Sequence, residues 1–172
     1  MKRGIITGIL ILVCFVLQCT VFRILAFGGI VPNLLIILTA SFGFMRGDKT
    51  GLVIGFFSGL LVDIFFSDML GFYALVYMYI GYANGKFSRQ FYPEDIKMPM
   101  FLITCSDFAY GFTCYMFMFL LRGKLHLGYY IMHIIIPEVV YTLIVTIFLY
   151  PVILKINYHL ESKEKRRAKK FV

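Results

Sequence analysis

Three glycines and an aspartate recur at a strict four-residue spacing in the first half of the chain. Gly51, Gly55, Gly59 and Asp63 lie within one apolar segment, GLVIGFFSGLLVDIFF. On an α-helix this spacing places them along one face, as a groove of small residues that ends at a carboxylate. In a soluble helix each glycine costs about 1 kcal/mol relative to alanine, whereas in a membrane small residues let a second helix backbone approach closely. The pattern predicts that Gly51, Gly55 and Gly59 form a helix-packing surface in lipid.

The composition agrees with a membrane protein. Of the 172 residues, 60% are apolar and 15% are charged, and the mean hydropathy is +0.85. In soluble domains about a quarter of the residues are charged. The N-terminal segment has a basic start and an apolar run but no small-residue cleavage site, so it predicts an uncleaved first helix rather than a signal peptide. We therefore expect an all-α, polytopic integral membrane bundle.

Hydropathy divides the chain into six apolar segments, each of which predicts a transmembrane helix. The second to fourth are short, because 16 residues of helix span about 24 Å and a bilayer core is about 30 Å thick. Residues 1–158 form the predicted six-span membrane domain, and residues 159–172 form a basic cytoplasmic tail. The six segments are residues 4–22, 30–45, 51–66, 69–82, 98–121 and 129–154.

The basic residues indicate an orientation. If both termini are cytoplasmic, all but three of the 17 Lys and Arg residues lie on the cytoplasmic side, and the exceptions are Arg23, Arg122 and Lys124. The positive-inside rule thus predicts a multi-pass membrane protein with both ends in the cytoplasm. The basic tail follows the last span directly, which favours contact with anionic membrane lipids over nucleic acid.

Three carboxylates fall inside the predicted spans: Asp63, Asp107 and Glu138. An acid at membrane depth is costly, so each is a candidate for a transport or proton role or for locking one helix to another. Hydroxyl groups on the same helix faces could satisfy Asp107 and Glu138 locally, which favours locking. These neighbours are Thr104 and Tyr110 for Asp107, and Tyr141 and Thr142 for Glu138. Counted from the inner ends of their spans, these two acids differ in depth by about 10 Å, which argues against a shared pair.

The sequence contains no catalytic signature. A nucleophile elbow, a zinc-binding H-E-x-x-H, a phosphate-binding loop and a dinucleotide fingerprint are all missing. The four cysteines have no zinc-site spacing, and Pro137 predicts a helix kink rather than a site. We therefore expect no catalytic, cofactor-binding or metal-binding residues, no cofactor and no enzyme activity.

The order of these features resembles MreD, the rod-shape-determining membrane protein of bacteria, over essentially the whole chain. Size, six predicted spans and a basic tail fit the family. The most specific part is the run G-L-x-x-D…L-G-x-x-A-L, in which Asp63 and Gly71 stand. The matching elements are Pro32, Asn33 and Leu34 at the start of the second span, Arg46 and Gly47 at its end, the glycines from Gly51 to Gly59, and the residues from Leu70 to Leu75.

The resemblance implies a non-enzymatic scaffold of the cell-wall elongation machinery. Such a scaffold would bind MreC, a single-pass membrane protein, and help to couple cytoplasmic MreB filaments to the outer synthases. It also implies a fold similar to the substrate-binding membrane subunits of energy-coupling-factor vitamin transporters. The competing hypothesis is a transporter subunit of that kind, in which Asp63, Asp107, Glu138 and the Pro137 kink line a cavity. Asp63 itself stands just before the short turn at Ser67 and Asp68. It can accept hydrogen bonds from backbone N–H groups of that turn or of the start of the fourth span, and so fix the turn between the third and fourth spans.

Overall fold

In the computed structural model, every regular element of the described residues is helical, which confirms the predicted all-α class. The structure describes residues 2–26, 28–67, 70–90, 92, 95–117 and 127–168. A 3₁₀ turn, Phe87–Gln90, follows α5, and a π-helical turn, Ile131–Ile135, joins α7 to α8. The α-helices are α1 Lys2–Cys19, α2 Val21–Ile24, α3 Leu34–Arg46, α4 Asp48–Phe66, α5 Phe72–Lys86, α6 Lys97–Tyr115, α7 Leu127–Tyr130 and α8 Ile136–Ala168.

Three helical stretches of the described chain are long and apolar enough to cross a membrane. They are Gly4–Ile24, Asp48–Phe66 and Gly128–Ser162. The 13 residues of α3 and the 15 residues of α5 are shorter than a bilayer core requires. Several apolar helices support a membrane location, and the count of six spans stays a prediction.

Helix α3 is the centre of the bundle. Its residues from Leu34 to Phe44 are all buried, and it contacts α1, α4, α5, α6 and α8. A helix that is apolar on every face is stable where protein or lipid surrounds it completely. Here protein surrounds it, which explains why α3 need not match the full thickness of a bilayer.

The helix ends differ from the hydropathy segments where a specific residue begins or ends a helix. The predicted start at residue 30 is four residues early, because Asn33 caps α3: its Oδ1 accepts the N–H of Ile36 at 3.2 Å. The predicted segment 69–82 corresponds to α5, which starts after Gly71 (φ 101°) and ends at Lys86. Residues 118–121 of the fifth predicted segment lie outside the described residues.

The last helix is longer than hydropathy predicts. Helix α8 continues past residue 154 to Ala168, because the polar residues that follow the apolar segment are still good helix formers. The predicted division between residues 158 and 159 falls within this helix. Before α8, the π-helical turn Ile131–Ile135 lies one turn ahead of Pro137. This turn contains His133, whose carbonyl group loses its helical partner because Pro137 has no N–H. The predicted kink stays a prediction.

Candidate functional site

The glycines of α4 lie against the backbone of α5. A Cβ atom built at Gly55 would overlap the carbonyl oxygen of Tyr77 and lie 2.6 Å from its carbonyl carbon. A Cβ at Gly59 would lie 2.5 Å from Ala74 Cα, and one at Gly51 would lie 2.7 Å from the carbonyl carbon of Gly81. The predicted packing surface of α4 is therefore its contact with α5, which no larger side chain can enter without moving a helix.

Sequence analysis missed the other half of this contact. Gly81 and Gly85 on α5 face Gly51 and the start of α4, and Gly43 on α3 lies against Gly81. A Cβ at Gly43 would lie 2.7 Å from Gly81 O, so three helix backbones meet at one point. The signal was available, because Gly81 and Gly85 repeat the same four-residue spacing as the ladder on α4. We call the whole contact between α3, α4 and α5 the glycine seam.

Asp63 caps the neighbouring helix. Its Oδ1 accepts the N–H of Tyr73 at 3.0 Å, and its Oδ2 accepts the N–H of Ala74 at 2.8 Å. These amides are in the first turn of α5, where no intrahelical acceptor exists and where the helix dipole favours a negative charge. Gly71, at the N-cap position, has no side chain that could do this. The hydrogen bonds agree with the expectation from the sequence.

A polar network links the start of α3 to α5 and α8. The hydroxyl of Tyr77 donates to Asn33 Oδ1 at 2.8 Å, and Asn33 N–H donates to Thr142 Oγ1 at 3.1 Å. Pro32, the preceding residue, is also buried. The pair Pro32–Asn33, which was singled out by family resemblance, therefore fixes the point at which three helices meet.

Asp107 is buried, with 2% of its surface exposed. Its carboxylate oxygens have no well-formed hydrogen bond among the described residues, and the side chain near enough to donate one is Thr142 on α8. Thr104, the neighbour expected to satisfy it, instead donates to the carbonyl of Met100 at 2.8 Å. Local satisfaction of Asp107 is therefore wrong, because a threonine in a helix reaches its own preceding turn more easily.

Glu138 is a neighbour of Asp107. The two carboxyl groups are close enough to interact electrostatically across the contact between α6 and α8. The difference in depth of about 10 Å, expected from the ends of their predicted spans, stays a prediction. Tyr141, expected to satisfy Glu138, donates to Leu25 O at 3.1 Å. Two such carboxylates repel each other when both are ionised.

Arg46 joins the far end of α3 to two other helices. Its Nε donates to Asn157 Oδ1 at 2.6 Å and its Nη1 donates to Thr7 Oγ1 at 3.0 Å. The guanidinium carbon also lies 4.1 Å from the ring centroid of Phe42. A planar group with several donors suits this role better than a lysine ammonium. Arg46 therefore connects α1, α3 and α8.

A groove runs between α1 and α4. The two helices touch through Phe15, whose ring centroid is 5.2 Å from that of Phe65 and 6.0 Å from that of Phe66. Toward the start of α1 they leave a space of about 660 Å³. A Cβ at Gly4 or Gly8 would meet nothing within 4 Å. We call this space the α1–α4 groove; it is lined by Gly4, Thr7, Gly8, Ile11, Leu12, Arg46, Thr50, Val53, Ile54, Phe57, Leu60, Leu61 and Ile64.

A separate cavity of about 560 Å³ lies on the other side of the Phe15 contact. One wall consists of Tyr73, Tyr77 and Tyr110, whose rings pack together with centroid separations of 6.1 Å (Tyr73–Tyr110) and 5.3 Å (Tyr77–Tyr110). Gln18 and Arg23 supply polar groups to the rest of the lining. We call this space the tyrosine cavity. Neither Asp107 nor Glu138 is among the described residues that line it.

These contacts pack helices together, and no group of three or more His, Cys, Asp or Glu side chains that could hold a metal ion occurs in the part of the chain that the structure describes. The sequence model of one protein family, described as "rod shape-determining protein MreD", matches residues 2–158. No curated protein and no solved structure matches the chain.

Proposed function

The chain belongs to the MreD family of rod shape-determining proteins, and from that premise we propose that it is a non-enzymatic membrane scaffold of the cell-wall elongation machinery. Membership of the family gives it a role in rod-shape determination. The further steps are proposals: it binds the transmembrane helix of MreC and thereby helps to couple MreB filaments to the synthases outside.

The observation that supports helix binding is the α1–α4 groove. Its wall on α4 extends from Thr50 to Ile64, which corresponds to about 21 Å of helix. Several of its residues, such as Val53 and Phe57, are half exposed. The open faces of Gly4 and Gly8 allow another helix backbone to approach, which is how small residues promote helix association in lipid.

The topology belongs to the same proposal. We propose six spans with both termini in the cytoplasm, residues 1–158 as the membrane domain and residues 159–172 as the basic tail. The excess of basic residues in the segments that this topology places in the cytoplasm supports the orientation. In it, the start of α1 and the Arg46 end of the α1–α4 groove face the cytoplasm. The similarity to energy-coupling-factor substrate-binding subunits stays a prediction.

The test uses two glycines that both have open surroundings. We expect Gly8→Leu to fill the α1–α4 groove without a clash inside the chain, and so to reduce the amount of MreC that co-purifies from native membranes. Gly128→Leu is the matched control, because a Cβ at Gly128 also meets nothing within 4 Å and lies away from the groove. Cells carrying Gly8→Leu should lose rod shape. Unchanged MreC recovery with Gly8→Leu would overturn the proposed docking surface.

A transporter subunit is the second candidate, and the tyrosine cavity is the observation in its favour. A subunit of that kind retains a small molecule on purification, whereas a scaffold retains a protein. Identifying both classes of bound partner after affinity purification separates the two functions. If depleted cells keep their shape and lose uptake of a vitamin, the transporter function is correct.

A further inference from the structure

The tyrosine cavity has the size and lining of a small-molecule site. Its volume of about 560 Å³ lies within the range of about 300–1,000 Å³ that is usual for ligand pockets. Such pockets combine aromatic walls with a few polar groups that fix orientation. Here three tyrosines form the aromatic wall, and the polar groups belong to Gln18 and Arg23.

The polar groups define what the cavity can accept. Arg23 is the one charged side chain among the described lining residues, and it is exposed. Gln18 Oε1 already accepts the N–H of Leu35 at 3.3 Å, so Gln18 offers a ligand its amide N–H groups. The hydroxyl of Tyr77 already donates a hydrogen bond to Asn33 Oδ1 at 2.8 Å. The cavity therefore presents donors and a positive charge, which suit an anion.

The aromatic wall defines the rest of the ligand. Tyr73, Tyr77 and Tyr110 meet edge to face or at a tilt, with an interplanar angle of 68° between Tyr77 and Tyr110. Tyr77 is fully buried, whereas Tyr73 and Tyr110 are partly exposed and can contact a further flat group. Phe15 and Phe66 extend the apolar lining. A flat apolar body fits such a wall better than a branched aliphatic one.

We propose that the tyrosine cavity binds a small planar anion, with its charged group at Arg23 and its ring against the tyrosine wall. The site is independent of the α1–α4 groove, and it would serve either a regulated scaffold or a transporter subunit. The carboxyl groups of Asp63, Asp107 and Glu138 act electrostatically on the tyrosine wall, so the charged group of the ligand is placed at Arg23 and only its uncharged ring at the tyrosines. Asp63 is engaged by two backbone amides, and Asp107 and Glu138 are not in the described lining.

Cys19 provides the assay, because it lines the cavity and is partly exposed. The full chain, with its other three cysteines replaced by alanine, is placed in nanodiscs of neutral lipid. The rate at which 2-sulfonatoethyl methanethiosulfonate modifies Cys19 is measured by mass spectrometry of the protein. We expect 2-naphthoate to slow modification at least tenfold at saturation, and 2-naphthylmethylammonium, which has the same ring and the opposite charge, to have little effect.

Arg23 variants test the charged contact. Arg23→Gln should weaken 2-naphthoate binding by up to about fivefold, the upper end of what an exposed ionic contact contributes, and Arg23→Lys should retain most of the affinity. A chain that keeps only Cys105, which is exposed on α6 outside the cavity, is the control and should show no protection.

A second measurement avoids the cysteine replacements. In the unaltered chain, 2-naphthoate should raise the unfolding temperature, because a ligand that binds only the folded state stabilises it. Absence of both protection and stabilisation at millimolar 2-naphthoate overturns the proposal. So does equal protection by the cationic analogue, which would indicate partition into the membrane. The test contains no protein partner, so its failure leaves helix docking in the α1–α4 groove standing.

Discussion

Asp63 is the residue whose replacement tests the fold most directly. It is 0% exposed and accepts the N–H groups of Tyr73 and Ala74, at 3.0 Å and 2.8 Å. Asp63→Leu removes both acceptors and leaves two amides of the first turn of α5 unpaired. Asp63→Asn preserves the shape and one acceptor oxygen, but places an NH₂ group against the other amide.

The magnitude follows from these two bonds. A hydrogen bond to a charged group contributes about 1.5–3 kcal/mol, so Asp63→Leu should lower the free energy of unfolding by about 3–6 kcal/mol. Asp63→Asn keeps one neutral hydrogen bond and should be about 1 kcal/mol milder. For a domain of this size, each kcal/mol corresponds to about 2–4 °C in unfolding temperature.

The assay is thermal unfolding in detergent, followed by loss of the monodisperse gel-filtration peak. Asp48→Asn is the matched control at the opposite end of α4. Asp48 Oδ1 accepts the exposed N–H of Lys49 at 2.8 Å, and a charge at this helix end contributes about 0.3–1 kcal/mol. If Asp63→Leu unfolds within about 2 °C of the wild-type chain, capping by Asp63 does not stabilise the α4–α5 pair and the reasoning fails.

Three further predictions use the same assay or a labelling experiment. Gly55→Ala should destabilise the folded protein by about 1–3 kcal/mol through overpacking against α5. Gly8→Ala, at a position that faces open space, should be neutral or slightly stabilising. Equal changes in unfolding temperature for the two variants would contradict the proposed packing at the glycine seam. Tyr77→Phe should cost about 1 kcal/mol by removing the donor to Asn33, and an unchanged unfolding temperature would contradict that role. Cysteines introduced near residues 68 and 124 should react from outside intact cells and one near residue 94 should not; these sites lie outside the described residues, and reaction near 94 would refute the six-span topology.

The sequence predicts those parts of the fold that depend on local signals. Apolar segments locate the helices, since burial in lipid or protein requires them. The four-residue glycine spacing locates one face of the α4–α5 contact. Asp63 is predictable because an acid at the end of an apolar helix has few partners other than the backbone of the next turn.

Other features depend on which helices become neighbours, and hydropathy does not predict which helices pack together. Helix α3 is central, yet its apolar side chains have the same character as those that face lipid. The bonds of Arg46 to Thr7 and Asn157 join residues 39 and 111 positions apart in the chain. The approach of Glu138 to Asp107 depends in the same way on how α8 lies against α6. These contacts require a three-dimensional arrangement before any residue pattern can identify them.

The two candidate binding surfaces lie where α1 meets the rest of the bundle, and packing explains why. Helices α3, α4 and α5 are held by backbone contacts at the glycine seam, and such contacts leave little freedom to shift. Helix α1 touches α4 through Phe15, with the α1–α4 groove on one side of that contact and the tyrosine cavity on the other. Half of the residues from Gly4 to Cys19 in α1 are exposed, including Ile5 at 62% and Ile9 at 55%. Elements with few buried contacts are the ones that open and close at low cost. Helix α1 borders both spaces and lies outside the glycine seam, so it is the element that we expect a partner helix or a ligand to displace.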